Sequence, residues 1–593
     1  MAVPADSSKA GEPSTAEAPP AISVTSPVPL VIGVTGHRDL VAEEIPRIRE
    51  MVRGFLRTMQ ARFPDLPLVV MSALAEGADR LVAAEARAMG LPLIVPLPMP
   101  RDLYVTDFVT NESREEFEDL LHGAEVLELP ILDGSIPEAV AAGGTARDHQ
   151  YAQLGVFLCA HCHILLALWD GKPSDQLGGT ASVVSFHHWD VMPGFTETAA
   201  RMRQLLADDE SDLVYHIVCS RDREEGEPAV GMETFATSWY TTDADEPRTL
   251  ELPARYEKIF RRSAEFNSDA ARYADPIRSE SWPLITEATP PEIIPAVARI
   301  DAVFRRADWL AMHFQKQVIF GLRATYTLVV LMGLAFIAYA DLPGVEGATP
   351  AIWAFLGLFA AGVVLSTIAN RRSWHRKYLD YRALAEGLRV QFYWAMAGAR
   401  DTRQTKFAHD NFLQKQDVEL GWIRNVMRVT GRRGELLGPA QRTEGLACVM
   451  REWVDGQLAY YQRKSEERTR HTHLTERIGS VCLWGGIAVT LILAISSGRL
   501  PDALADWLLV LMGILPLIAA VREAYAHKKA ERELIKQYQF MGRIFANARR
   551  KLDLAADDDE RRAVLKALGD AALDEHAEWI MVHRERPLEH GGL

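Results

Sequence analysis

Cysteine is scarce in this sequence, with 5 in 593 residues and no paired spacing, so a disulfide framework is excluded and a reducing compartment is expected. Basic residues are also in deficit. Lys and Arg number 65 against 80 Asp and Glu, a net charge of −15, which argues against a general nucleic-acid binder, because phosphates call for a basic surface. The first 28 residues hold no apolar stretch long enough for a signal-peptide core; rich in Ala, Pro and Ser, they read as a disordered leader. With no export signal, the domain that begins at Pro29 is expected in the cytoplasm. A mean hydropathy of −0.06 shows no general apolar excess, but the mean hides position: charge is wholly missing from four long runs in the second half. The chain is too long for one core, so two or more domains are expected.

What is present begins with VIGVTGHRDL at 31–40, an apolar run, a tight turn and then helical spacing rich in Glu and Arg. Strand-like runs recur in LPLVVMSALAEGADRL, LPLIVPLPMP, AEVLELP and CHILLALWDG, with LVYHIVC as a further one, and helical spacing separates them. This alternation predicts an α/β domain over 29–220 with a mostly parallel sheet, followed by a linker or extension over 221–299. In such open sheets ligands bind beyond the carboxyl ends of the strands, where helix N-termini also point.

The candidate ligand-binding residues fall at those ends. Gly33, Thr35 and Gly36 form the first turn, in which the glycines let backbone approach a ligand, and His37 and Arg38 supply donors to phosphate oxygens. The second strand runs into Ser72, Glu76, Gly77 and Asp79, a glycine turn with two carboxylates suited to ribose hydroxyls. Arg101 follows the third strand. The last strand delivers Asp170, Gly171 and Lys172, and then Gly178, Gly179 and Thr180 open a helix whose free N–H groups form an anion site. Three glycine turns after three strands of one sheet point together to a phosphate-bearing ligand.

GVTGHRDL, ALAEGADRLVAAEA, IVPLPMPRDLYVTDF and LLALWDGKPSDQLGGTASVV together resemble the SLOG superfamily. This Rossmann-like group contains the Lonely Guy phosphoribohydrolases and the DNA-processing Smf proteins. The resemblance implies a Rossmann-like fold and a nucleotide or nucleotide-derived ligand, with no other cofactor. Its hydrolytic branch carries a catalytic Glu three residues after a Gly-Thr pair; here Gly179 and Thr180 are followed by Val183. Binding without hydrolysis is therefore expected, with no catalytic residue assigned.

CAHCH at 159–163 matches the haem-attachment spacing, but haem attachment belongs to exported proteins. The stretch runs directly into ILLALW, so its side chains are expected to fill a core, and no second cluster stands at zinc-finger spacing.

The four uncharged runs lie at 324–340, 351–369, 478–496 and 507–521. A membrane helix needs about 20 residues, with a range of about 17 to 25, so three runs qualify and the fourth, which contains Pro516, is short. The connector DLPGVEGATP has no Lys or Arg and SSGRLPDALAD has only Arg499, whereas RRSWHRKYLDYR and REAYAHKKAERELIK follow the second and fourth runs. The positive-inside rule places the short tips outside and both termini in the cytoplasm of a bacterial plasma membrane.

The second half also repeats itself. ADWLAMHFQKQ and DGQLAYYQRKS precede the two pairs of runs, and WHRKYLDYRALAEGLRVQFY and AHKKAERELIKQYQFMGRIF follow them. Two tandem units are expected, 300–446 and 447–593, each a lead-in helix, a membrane hairpin and a charged exit helix that packs on its neighbours. RKYLDYRALAEGLRVQFYW is similar to the SLATT families, two-span membrane modules associated with SLOG domains. That likeness implies a pore-forming effector in bacterial nucleotide signalling, with a role in anti-phage or stress defence.

The resulting expectation is a membrane sensor-effector, homo-oligomeric because four helices with few polar groups offer no aqueous path in one chain. Its partners are a nucleotide-type small molecule and the bilayer. Two rivals remain open: a membrane-anchored nucleotide-processing enzyme that uses Glu76, Asp79 or Asp170 as acid or base, and a scaffold whose α/β domain binds only protein.

Overall fold

The structure is a computed structural model and describes residues 24, 26–196, 212–243, 245, 247–341, 348–399, 412–413, 418–496, 499–529 and 531–585. The expected disordered leader, apart from its last few residues, and most of the first hairpin tip, 342–347, lie outside the described residues.

The amino-terminal half is built on an eight-stranded sheet of β1 Leu30–Gly36, β2 Leu68–Met71, β3 Leu93–Leu97, β4 Glu125–Glu128, β5 Ile164–Trp169, β6 Val214–Val218, β7 Thr237–Tyr240 and β8 Arg248–Thr249. The strand order is β4-β3-β2-β1-β5-β6-β7-β8. The first six strands pair in parallel, and β7 and β8 add an antiparallel edge. Strands β1, β2, β3 and β5 are almost wholly buried, which is why they read as apolar runs rather than alternating ones. The crossovers are α1 Ile45–Arg62, α2 Ala78–Ala88, α3 Asn111–Leu121 and α4 Thr145–His161, and α5 Thr180–Trp189 follows β5. The sheet continues past residue 220: β7 and β8 lie in the segment read from sequence as linker or extension. With four and two residues they are too short to show a period.

Helix α6, Ala254–Arg272, leads into an all-helical region. Its elements are α7 Ile294–Asp341, α8 Ala348–Arg371, α9 Trp374–Ala397, α10 Gly421–Thr430, α11 Pro439–Val449, α12 Gly456–Ile495, α13 Asp502–Lys528, α14 Glu531–Leu554 and α15 Asp558–Glu585. Among the described residues, four helices are long and apolar enough to cross a membrane, and at most 17% of each apolar window is buried within the chain. Trp353, Trp484 and Trp507 are 69%, 66% and 74% exposed on them, an uncovered apolar belt that water would not tolerate and lipid would. The fourth run, short as a sequence window, sits in a helix of 27 residues that continues through Pro516, or about 40 Å of rise. The apolar helices meet at small residues: a side chain on Gly333 would strike Leu517, and one on Gly513 would lie 3.0 Å from Ile337.

The charged exit helices pack as neighbours of the lead-ins. α9 lies along α7, α14 lies along α12, and α15 bridges both units by packing on α9 and α14. The α/β half is not a separate bead. One buried cluster runs from Val31 in β1 through Phe260 in α6 to Trp422 in α10. Around it, Arg432 and Arg433 clasp Glu125 at the start of β4 at 2.6 and 2.7 Å, and Arg376 and Lys377 of α9 meet Glu265 of α6 at 2.8 and 3.1 Å.

Candidate functional site

Strands β1 and β5 are neighbours, while the chain leaves β1 toward β2 on the other side. That is a topological switch point, where loops diverge and leave a crevice at the carboxyl ends. A cleft of about 460 Å³ opens there. Ten of the residues read from sequence line it. Thr35, Gly36, His37 and Arg38 come from the end of β1, Asp79 from α2, Asp170 and Lys172 from the end of β5, and Gly178, Gly179 and Thr180 from the start of α5.

Asp170 is the chemical centre. It is 1% exposed; its Oδ1 accepts from the Lys172 N–H at 3.0 Å, and its Oδ2 is buried with no hydrogen-bond partner. A bare buried carboxylate oxygen is costly unless something donates to it. The Asp170 N–H donates to Nε2 of His37 at 3.1 Å, and Nε2 is also 3.2 Å from Oδ1. Burial lowers the His37 pKa and outweighs the neighbouring carboxylate, so the ring is neutral at pH 7 and Nε2 is an acceptor.

Asp79 is the second acid. Burial pushes it up to about 7, although Arg38 and the N–H groups of Ala75 and Ala73 pull the other way. Arg38 is exposed at the mouth, with its guanidinium 5.6 Å from the centre of the Tyr151 ring. Arg221 is engaged by Asp39 at 2.9 Å, and Lys172 Nζ donates to the Glu225 carbonyl at 2.6 Å. Among the described residues no ion pair engages Arg38 or Arg223, and both line the cleft. With the N-terminus of α5 they make one end of the cleft a site for anionic oxygens. Asp170 makes the other end a site for donors.

Val183 also lines the cleft, and a side chain on Gly155 opposite would lie 2.8 Å from it. The cleft wall at Val183 is thus apolar and packed.

Six residues read from sequence do not line the cleft. Gly33 leaves room for Cys162, whose Sγ would be 2.9 Å from an added Cβ. Ser72 Oγ donates to the Asp79 carbonyl at 3.1 Å and accepts from the Leu74 N–H at 3.2 Å. Glu76 accepts from Ser113 Oγ. Gly77, at φ +81°, lies against the carbonyls of His37 and Arg38. Gly171, at φ +79°, lies against Met232. Arg101 is paired with Glu118. The missing Cβ of Gly36 likewise serves packing: it would sit 2.4 Å from Ala78 Cβ and 2.9 Å from the Leu168 carbonyl.

Sequence reading missed Tyr151, Arg221 and Arg223. Tyr151 stands mid-helix on α4 and the two arginines on the loop after β6, positions without a turn signature.

The CAHCH stretch is buried as expected, and none of the five cysteines forms a disulfide among the described residues. Its histidines do more than fill space: His161 Nδ1 is 2.7 Å from the Arg428 carbonyl, and His163 Nε2 is 3.0 Å from the Asn425 carbonyl, both on α10. Among the described residues no cluster of His, Cys, Asp and Glu is arranged to hold a metal.

The fold and cleft define an α/β domain fused to a helical region with four potential membrane spans. Compared with family models, curated proteins and solved structures, the chain matches none.

Proposed function

We propose that this chain is a bacterial membrane sensor-effector, in which a nucleotide or nucleotide-derived signal binds the β1/β5 cleft and biases a pore-forming or membrane-perturbing helical bundle. The observation that carries the reading is the bipolar cleft. Asp170 Oδ2 is buried with no hydrogen-bond partner, a place for a donor such as a ribose or base edge, and Arg38, Arg223 and the start of α5 line the same cleft with the positive charge and N–H donors that suit a phosphate. The resemblance to SLOG and SLATT families supports the same pairing of functions. For the four apolar helices, the basic connectors favour hairpin tips outside and both termini in the cytoplasm, so the cleft faces the cytoplasmic nucleotide pool.

Binding shifts such a bundle only if ligand prefers one of its states, by about 5.5 kcal/mol for a near-complete switch. A hydrogen-bonded route can carry that preference, since β1 ends in the cleft and is joined through His163 to α10. The test is to extract small molecules from full-length protein purified in detergent, beside an Arg38→Gln, Arg223→Gln variant. A phosphorylated nucleoside bound to wild type and lost from the variant supports the reading; equal content, or none with no nucleotide binding by titration, removes it.

One observation favours the second reading, a membrane-anchored nucleotide-processing enzyme. Asp79, held near pH 7 by burial, has the proton affinity of a general acid or base. Against it, Val183 occupies the wall where the superfamily's carboxylate would stand. Release of free base or phosphate from nucleotide by the full-length protein, abolished in Asp79→Asn, would favour the enzyme.

A further inference from the structure

A second cavity lies far from the cleft, where the two repeat units meet at the charged ends of the apolar helices. It measures about 420 Å³ and is walled by α7, α9, α12, α14, α15 and the end of α13. One wall is apolar: Met312, Val318, Ile319 and Leu322 of α7 lead into the uncharged run that starts at residue 324. The opposite side is cationic and phenolic. Arg468 stands 5.3 Å from the centre of the Tyr538 ring, Gln315 donates to Tyr378 Oη at 3.1 Å, and Lys528 and Lys529 also line the chamber.

The acids that face the chamber do not satisfy these cations. Burial would raise the Glu386 pKa, but Arg382 and Arg389 outweigh it and hold the group at about 2; Glu386 is thus an anion already neutralised, 2.5 Å from Arg382. Burial pushes Glu575 up to about 7, and it accepts from Gln537. Among the described residues no ion pair reaches Arg468 or Lys528. Two half-buried cations without an ion pair, in a chamber also lined by Tyr378, Tyr460, Tyr461 and Tyr538, suit an anion of compact, oxygen-rich form. The apolar wall, continuous with a membrane-length helix, requires that anion to carry a hydrocarbon tail.

We infer that this chamber binds the phosphate headgroup of one anionic phospholipid, with Arg468 and Lys528 on the phosphate and the lipid's chain following α7 toward the bilayer. The lipid ties the lead-in helices α7 and α12 to α13, α14 and α15, so it is a structural ligand of the joint between the two units. The inference rests on the apolar helices entering a bilayer, not on the nucleotide cleft.

The test uses full-length protein in neutral detergent, with thermal unfolding followed while phosphatidylglycerol, phosphatidylcholine or inorganic phosphate is added. Extracted lipid is assayed in parallel for bound phosphorus. Wild type and a Lys551→Gln control should be stabilised by phosphatidylglycerol alone. Arg468→Gln with Lys528→Gln should bind it about 25-fold more weakly, at about fivefold per cation near an anionic headgroup. Should the double variant not fold, Lys528→Met, which keeps the apolar stem, should show the fivefold loss. Equal stabilisation by phosphatidylcholine, unchanged binding in the variants, or full protection by inorganic phosphate would each overturn the lipid assignment, the last in favour of a free anion. Retention of wild type in carbonate-washed membranes separates failure of the lipid site from failure of the membrane reading.

Discussion

His163 joins Asn425 across the boundary between the sheet and the helical region: its Nε2 lies 3.0 Å from the Asn425 carbonyl, while its Nδ1 accepts from the Val31 N–H of β1 at 2.9 Å. Because Nδ1 accepts, Nε2 must carry the proton and donate, which fixes one neutral tautomer. The strand that ends at the cleft and the helix packed beneath the bundle are therefore held by the two nitrogens of one ring.

Burial lowers the His163 pKa to about 4. The unfolded chain binds the proton near pH 6.5 and the folded chain does not, so this group's contribution to stability is full above pH 6.5 and is lost as pH falls toward 4. By pH 5 about 2 kcal/mol should be gone from this group relative to pH 7. His163→Leu should lower stability at pH 7 by about 1–3 kcal/mol per orphaned backbone group and flatten the dependence between pH 7 and 5. Denaturant unfolding of both proteins at the two pH values checks it; parallel pH profiles would refute the bridge.

Asp79 should make anion binding pH-dependent. Its folded pKa is raised to about 7, so it is mostly neutral at pH 6 and charged at pH 8.5. Phosphate affinity should then fall by roughly fivefold to tenfold over that range, about 1–1.4 kcal/mol of repulsion. Asp79→Asn should remove most of the fall while keeping the pH 6 affinity. Calorimetry with a nucleotide at both pH values reads this out.

Two glycines of the cleft should part company on substitution. Gly36→Val drives atoms into Ala78 and the Leu168 carbonyl and should destabilise the chain by about 1–3 kcal/mol or more. Gly179 has φ −75°, and its nearest neighbour would be the Gln176 carbonyl at 3.2 Å, so Gly179→Ala should stay folded. Thermal melts of the two variants beside their nucleotide affinities distinguish packing from ligand approach.

The sequence made the parallel strands legible because burial on both faces wrote them as unbroken apolar runs, and it made the spans legible because lipid-length helices exclude charge. Ten of the residues it singles out, at strand ends and helix starts, line the cleft. A glycine needed for a close helix approach, as at Gly36 against Ala78, looks the same in sequence as one needed by a phosphate. Arg223 and Tyr151 were illegible because only the tertiary fold brings a β6 loop and the middle of α4 to the end of β1. The role of His161 and His163 was equally hidden: nothing local marks a buried ring whose partner is more than 260 residues away.

Orientation can be read chemically. Leu504 lies at the start of α13 and Arg372 at the basic end of α8. A cysteine at 504 should react with an impermeant maleimide added to intact cells, and one at 372 only after lysis. Labelling of 372 in intact cells would reverse the topology and move the cleft outside.

Most direct is a single assay on full-length protein in dye-loaded liposomes, with nucleotide added and both dye release and nucleotide breakdown followed. Nucleotide should open the membrane in wild type and not in the Arg38→Gln, Arg223→Gln variant, and should be recovered unchanged. Breakdown of nucleotide without dye release, for every nucleotide that binds, would contradict the sensor-effector reading.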